Sequence, residues 1–283
     1  MRRWSMWLMV VGAVSTAQAQ ETDGRVILER VIEVYGSAED YRAETLLSMV
    51  RPQRVLIMPG RLAFRRPNWV RQHIGPPSRW SHQVVIANPT HRFHSFPNLG
   101  QYTKKTPPER VLDDGLAMGM FTVEDLLAGA DVWSVVDEVV LERRAHYYGK
   151  PVYVLRVEST KGPIQWFWVG EDDYLVHKMA WTMGKGDAER LVHEAVDEMS
   201  RADELEGAAK AREEKAAEDI HRWVGAGYSV MDPATDFAWT IRYKNVAINS
   251  GLPDSLFRYD PRPGEARVDE IDMSEGWAQV ARE

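Results

Sequence analysis

Four histidines lie close enough together to raise the question of metal chemistry: His73, His82, His91 and His94. On extended backbone the side chains alternate between faces, so His91 and His94, three positions apart, point opposite ways unless a bulge intervenes. They are read as surface or groove-rim residues, and no metal is assigned. Glu171, Asp172 and Asp173 fall at a predicted tight turn. Carboxylates there are ordinarily solvated, so no catalytic role is assigned. The sequence holds no Gly-x-Ser-x-Gly elbow, His-Glu-x-x-His helix or P-loop. It also has no cysteine, which removes a thiol nucleophile, thiolate metal sites, disulfides and an N-terminal lipid anchor on cysteine. A non-enzymatic protein without a cofactor is the expectation. Arg42 and Arg71 have a different use. A guanidinium beside an apolar groove can hold a lid by its carbonyls or meet a lipid headgroup, whereas an outward-facing strand arginine is simply solvated.

The groove itself is suggested by the aromatic and sulfur side chains. Eleven tryptophans and 12 methionines in 283 residues make wide, adaptable apolar surfaces. Ile164, Trp166 and Trp168 occupy one face of a predicted strand, and Phe167 and Val169 the other. Leu175, Met179, Trp181 and Met183 recur at period two, as do Phe237, Trp239, Ile241 and Tyr243. Strands apolar on both faces need cover on both, from a helix on one side and a second sheet or an apolar ligand on the other. A curved or partly closed antiparallel sheet around a helix meets that need and leaves a hydrophobic concave side. The candidate groove residues are Met49, Phe64, Trp69, Trp80, Phe93, Met118, Met120, Phe121, Trp133, Trp166, Trp168, Met179, Trp181 and Trp239. For each of them a filled protein core is the alternative.

The elements that must position these residues follow from period and punctuation. Arg2 and Arg3 precede the apolar run Trp4 to Val14 and the small-residue site Ala17-Gln18-Ala19. This is the layout of a cleaved export signal over residues 1–19, leaving one domain over 20–283; in a Gram-negative cell the destination is the periplasm. Val26, Ile27, Val31, Ile32 and Tyr35 predict a helix over 23–36. Pro and Gly turns recur from Tyr41 to Thr106 and predict an antiparallel meander, followed by two short helices over 107–129, with Thr122 capping the second. Strands are predicted at 133–147, 152–159, 164–169, 174–183 and 237–248, then a short turn at 252–257 and an edge segment at 259–271. Residues 187–223 are strongly charged and predict an inserted helix, either a solvated face or a partner-binding arm. No segment after the signal is long and apolar enough to span a bilayer. A formal charge of −7 argues against nucleic acid as a partner.

Two runs resemble periplasmic lipoprotein carriers of the LolA type. One is the hairpin Gly60-x-Leu62-x-Phe64-x-x-Pro67-x-x-x-Arg71. The other is the closing run from Tyr243, Asn245 and Asn249 through Leu252-Pro253-Asp254-x-Leu256-Phe257 to Tyr259 and Pro261, with a Pro263-Gly264 turn. The helix ending at Tyr35 and the strand Trp166 to Val169 with its Asp172/Asp173 turn fit the same layout. The resemblance implies an α+β fold, an unclosed antiparallel β-barrel with helices over its concave mouth. It further implies a cavity for the acyl chains of lipoproteins or other lipids, and an inner-membrane donor and outer-membrane acceptor as partners. Asn88-Pro89 departs from the Asp-Gly common before an aromatic strand, and the 187–223 insertion is not part of the compact carrier pattern. Relatives of that fold include a stress-pathway sensor, so a sensor or scaffold binding a protein through the insertion is the alternative function.

Overall fold

A computed structural model describes residues 23–51, 54–79, 82–106, 120–159, 162–183 and 237–272. The export signal predicted over 1–19, the first of the two short helices predicted over 107–129 and the helix predicted over 187–223 lie outside the described residues.

Helix α1 (Gly24–Ser37) is followed by strands β1 (Asp40–Arg51), β2 (Arg54–Arg65), β3 (Trp69–Ile74), β4 (Gln83–Ala87), β5 (Arg92–Phe96) and β6 (Gln101–Lys105). After α2 (Val123–Ala128) come β7 (Val136–Tyr147), β8 (Lys150–Ser159), β9 (Gln165–Gly170), β10 (Val176–Met183), β11 (Phe237–Ile248) and the two-residue β12 (Ala266–Arg267). All twelve join one unclosed sheet in the order β12-β6-β5-β4-β3-β2-β1-β11-β10-β9-β8-β7. Every described pairing is antiparallel except β12 with β6.

The sheet bends around its helices. Side chains from the nine strands between β4 and β7 share one buried cluster with α1 and α2. Laid flat, those strands would span about 38 Å at about 4.8 Å per strand, against a helix about 10 Å across. One cluster can include both ends only if the sheet wraps. The face it wraps inward is here called the helix face.

Local chemistry fixes the helices. The Asp23 carboxylate accepts the Arg25 amide at 2.9 Å, and at the other end the Arg66 guanidinium donates to the carbonyls of Tyr35, Gly36 and Ala38. The Tyr35 carbonyl also accepts the Ala38 amide at 3.3 Å, but the last carbonyls of a helix run short of amide donors, so a cation there satisfies and stabilises them. The buried stripe is Ile27, Leu28, Val31 and Tyr35, while Val26 is 39% exposed. The predicted stripe thus shifts by one residue. Gly24 lets α1 approach β7 closely, because a Cβ there would lie 2.7 Å from the Leu141 amide nitrogen. In α2, Thr122 and Asp125 form a capping box, and Gly129 closes the helix at φ 71°.

Two boundaries differ from the sequence reading by more than two residues. Val132–Ser134 turns as a 3-10 helix, so the strand expected from Trp133 begins at Val136. The edge segment expected over 259–271 contributes only Ala266 and Arg267 to the sheet.

Candidate functional site

The helix face grades from a filled core into a half-covered apolar ledge. Phe64, Phe167, Val169 and Met179 are fully buried. Phe121, just before α2, stacks on Phe167 with ring centres 5.0 Å apart. Gln165 holds this segment down, since its side chain accepts from the Phe121 amide (3.1 Å) and donates to the Phe121 carbonyl (2.8 Å). Farther along the same face, Trp181 pairs with Trp239 across β10 and β11, and their rings stack at 6.1 Å and 14°. Trp181 is 7% exposed, whereas Trp239 and Ile241 are half-buried and pack against the core from its rim. Register continues the ledge through Leu47 and Met58, which are half-buried too.

A polar cluster interrupts the core beneath α2. Glu124 is buried, and burial pushes its carboxyl up to about 6, with the adjacent Asp125 adding to the rise. Gln72 donates to Oε1 at 3.4 Å, and among the described residues no donor lies within hydrogen-bond geometry of Glu124 Oε2 or Tyr41 Oη. Tyr243 Oη donates to Met179 Sδ at 3.4 Å, and Tyr35 Oη accepts the Val176 amide at 3.0 Å. Burial raises all three phenols, so they stay protonated.

The structure divides the candidate groove residues between two faces. Phe64, Met120, Phe121, Trp133, Met179, Trp181 and Trp239 meet on the helix face. Trp166 and Trp168 lie on the far face with Tyr147, Val152 and Val154. Trp69 packs edge-on against Phe257 on the far face of β3, under the Arg65 guanidinium, and Phe93 stacks on Tyr259 at 5.1 Å. The described members therefore do not line one groove: neighbours such as Trp166 and Phe167 alternate, and the described helices α1 and α2 cover one side. Met49 pairs by register with Trp239, but its side chain, like Trp80 and Met118, lies outside the described residues.

Arg42 and Arg71 also lie on the far face. They share a cavity of about 660 Å³ with Arg61, Glu44, His73, Asn245, Leu252 and Leu256. Arg71 does hold a carbonyl, that of Leu256 at 2.8 Å, so it clamps the closing 3-10 turn Asp254–Phe257 rather than a lid on the helix face. Its Nε–H donates to His73 Nε2 at 2.9 Å, and His73 Nδ1 faces His82 Nε2 at 3.4 Å. Burial, then the neighbouring Arg71 charge, lowers His73 to about 4. His94 instead bonds Gln83 and His91 bonds Thr90. Among the described residues no three His, Asp or Glu side chains converge on a metal position.

The Glu171 to Asp173 turn is more built than a solvated loop. Asp173 accepts the Leu175 amide and lies 3.5 Å from His177, and Glu171 pairs with Arg144 at 3.7 Å.

Sequence reasoning missed Gln165 and Glu124. Gln165 carried a signal, being the one polar residue on the helix face of β9. Glu124 carried a misleading one, because an acid in a first helical turn is ordinary dipole chemistry.

No model of a protein family matches the chain, and no curated protein matches it. Among solved structures it is similar to a DUF1329 family protein from Desulfovibrio piger, with 13% identity, a TM-score of 0.36 and coverage of 83% of this chain and 96% of that one. It is similar to a LolA superfamily protein from Nitrosomonas europaea at 11% identity, TM-score 0.34, covering 84% and 98%. It is also similar to the lipoprotein LppX from Mycobacterium tuberculosis at 4% identity, TM-score 0.41, covering 81% and 96%. No described helix is long and apolar enough to cross a membrane.

Proposed function

We propose that this chain is an exported, non-enzymatic carrier that holds acyl chains of a lipid or lipoprotein on the helix face of its sheet. It would work in the periplasm between an inner-membrane donor and an outer-membrane acceptor. The observation that carries the reading is the stacked pair Trp181 and Trp239, which runs out of a filled core onto a half-covered apolar ledge. The two sequence runs that resemble lipoprotein carriers support it.

The energetics suit a carrier. Each methylene withdrawn from water contributes about 0.8 kcal/mol, so several on the ledge would retain a chain. A ledge that covers the cargo incompletely also releases it to a better acceptor. Gln165 and Glu124 hold the α2 segment over this face by polar contacts, which break and reform more readily than a packed core.

The test is co-purification. The full chain, exported and isolated without detergent, should yield bound phospholipid or lipoprotein on extraction and mass spectrometry. Protein that emerges empty, with tryptophan fluorescence indifferent to added acyl chains, overturns the reading.

A further inference from the structure

The far-face cavity has a chemistry of its own. Arg42, Arg61 and Arg71 line about 660 Å³, with Leu252 and Leu256 beside them. That volume falls in the range of small-molecule sites, about 300–1,000 Å³. Glu44 is the one acid among the lining residues, and the Asn245 amide already donates to it at 2.9 Å. Asn245 is placed there by a bulge between β1 and β11, where its backbone turns to φ 51°. A bulge that re-aims a side chain into a cavity is a common device at binding sites.

The arginines are not spent on one another's neighbours. Neither Arg42 nor Arg61 has an ion pair among the described residues, and both are exposed at the cavity mouth. Arg71 commits Nε and one terminal nitrogen to His73 and Leu256, which fixes its fork in place. His73 accepts from Arg71 and stays neutral, so it adds no charge near pH 7. Asp260 acts on Arg71 and Arg262 on His73, and these two flanking charges cancel in sign. A local excess of two positive charges, three arginines against Glu44, therefore stands in a chain of formal charge −7.

We infer that this cavity binds a phosphate monoester or diester, its oxyanion between Arg42, Arg61 and the fixed Arg71 and its carbon part against Leu252 and Leu256. Planar guanidinium forks match phosphate oxygens two at a time, and the apolar wall selects an organic phosphate over the bare ion. The site is on the opposite side of the sheet from Trp181 and Trp239, so it is independent of acyl binding. The phosphate could come from a soluble ester or from a lipid headgroup.

Titration calorimetry with glycerol 3-phosphate and with inorganic phosphate, alongside flotation with phosphatidylglycerol or phosphatidylcholine vesicles, tests it. Glycerol 3-phosphate binding more tightly than inorganic phosphate supports a soluble ester, and flotation with phosphatidylglycerol alone supports a headgroup. Either should weaken roughly tenfold or more in the Arg42→Gln, Arg61→Gln double variant. Both positions are exposed, so circular dichroism and the melting temperature should match the parent. No binding of any probe, or binding that the double variant leaves unchanged, overturns the inference. Acyl-chain fluorescence at the tryptophan pair should be unaltered in that variant.

Discussion

Asn249 and Asp40 hold each other across the ends of β11 and β1. The Asn249 side-chain carbonyl accepts the Glu39 and Asp40 amides at 2.8 and 3.4 Å, and the Asn249 amide donates to the Asp40 carbonyl at 2.9 Å. The Asp40 carboxylate in turn accepts the Ser250, Gly251 and Leu252 amides and the Ser250 hydroxyl. The closing run is thereby tied to the first strand.

Asp40 should therefore dominate the acid limb of stability. Burial alone would raise its carboxyl, but the Ser250 and Gly251 donors outweigh burial and hold it below the usual carboxylate range. A depressed native pKa contributes stability that is present above the ordinary aspartate pKa and lost as pH falls through the native value. Asp40→Asn should cost about 2–3 kcal/mol in urea unfolding at pH 7, and its deficit should shrink in acid.

Glu124 should act in the opposite direction. Its native pKa is raised from 4.5 to about 6, so its contribution is fully present below pH 4.5 and is lost as pH rises through 6. The difference is about 2 kcal/mol. Glu124→Gln should flatten the stability profile between pH 4.5 and 7 and leave the variant more stable than the parent at pH 7. A parent profile with no such fall would show that the carboxylate is hydrated in solution.

The two glycines of α1 should respond with opposite signs. A Cβ at Gly24 would meet the β7 backbone at 2.7 Å (Leu141 N) and 2.9 Å (Val140 C), whereas one at Gly36 meets nothing within 4 Å. Gly24→Ala should lose about 1–3 kcal/mol through forced displacement of the helix. Gly36→Ala should gain about 0.5–1 kcal/mol from helix propensity. Thermal melts of the pair are a direct comparison.

The two tryptophan faces should separate in quenching. Acyl chains brominated near their ends should quench Trp181 and Trp239 but spare Trp166 and Trp168. In Trp239→Ala the loss of apolar contact should weaken acyl binding roughly tenfold. Equal quenching of Trp166 would place the ligand on the wrong side of the sheet for the proposed carrier.

Period and punctuation made most of the fold legible. The α1 helix, the Thr122 cap and the alternation of Trp166 and Trp168 against Phe167 and Val169 were all readable. What alternation could not supply was which face the helices cover, so tryptophans from both were assigned to one groove. Contacts between distant residues were equally hidden. Nothing near Asp40 announces that it will meet Ser250, and Arg61 joins Arg42 and Arg71 only once β1, β2 and β3 lie side by side. The asparagines of the closing run carried an unused clue: Asn245 and Asn249 have φ of 51° and 54°, a region asparagine enters more readily than most residues.

The open sheet also has a consequence for behaviour at high concentration. Among the described strands the sheet ends in two rims, on which another copy could add a strand and begin a fibre. At one rim the terminal strand, β12, is two residues long. At the other, β7 is twelve residues long, but it breaks register between Val136 and Glu138 and again between Leu141 and Arg143, and it turns Arg143 and Arg144 to water. A chain with a half-covered apolar ledge is thus shielded, at the backbone of its two described rims, from polymerising with itself.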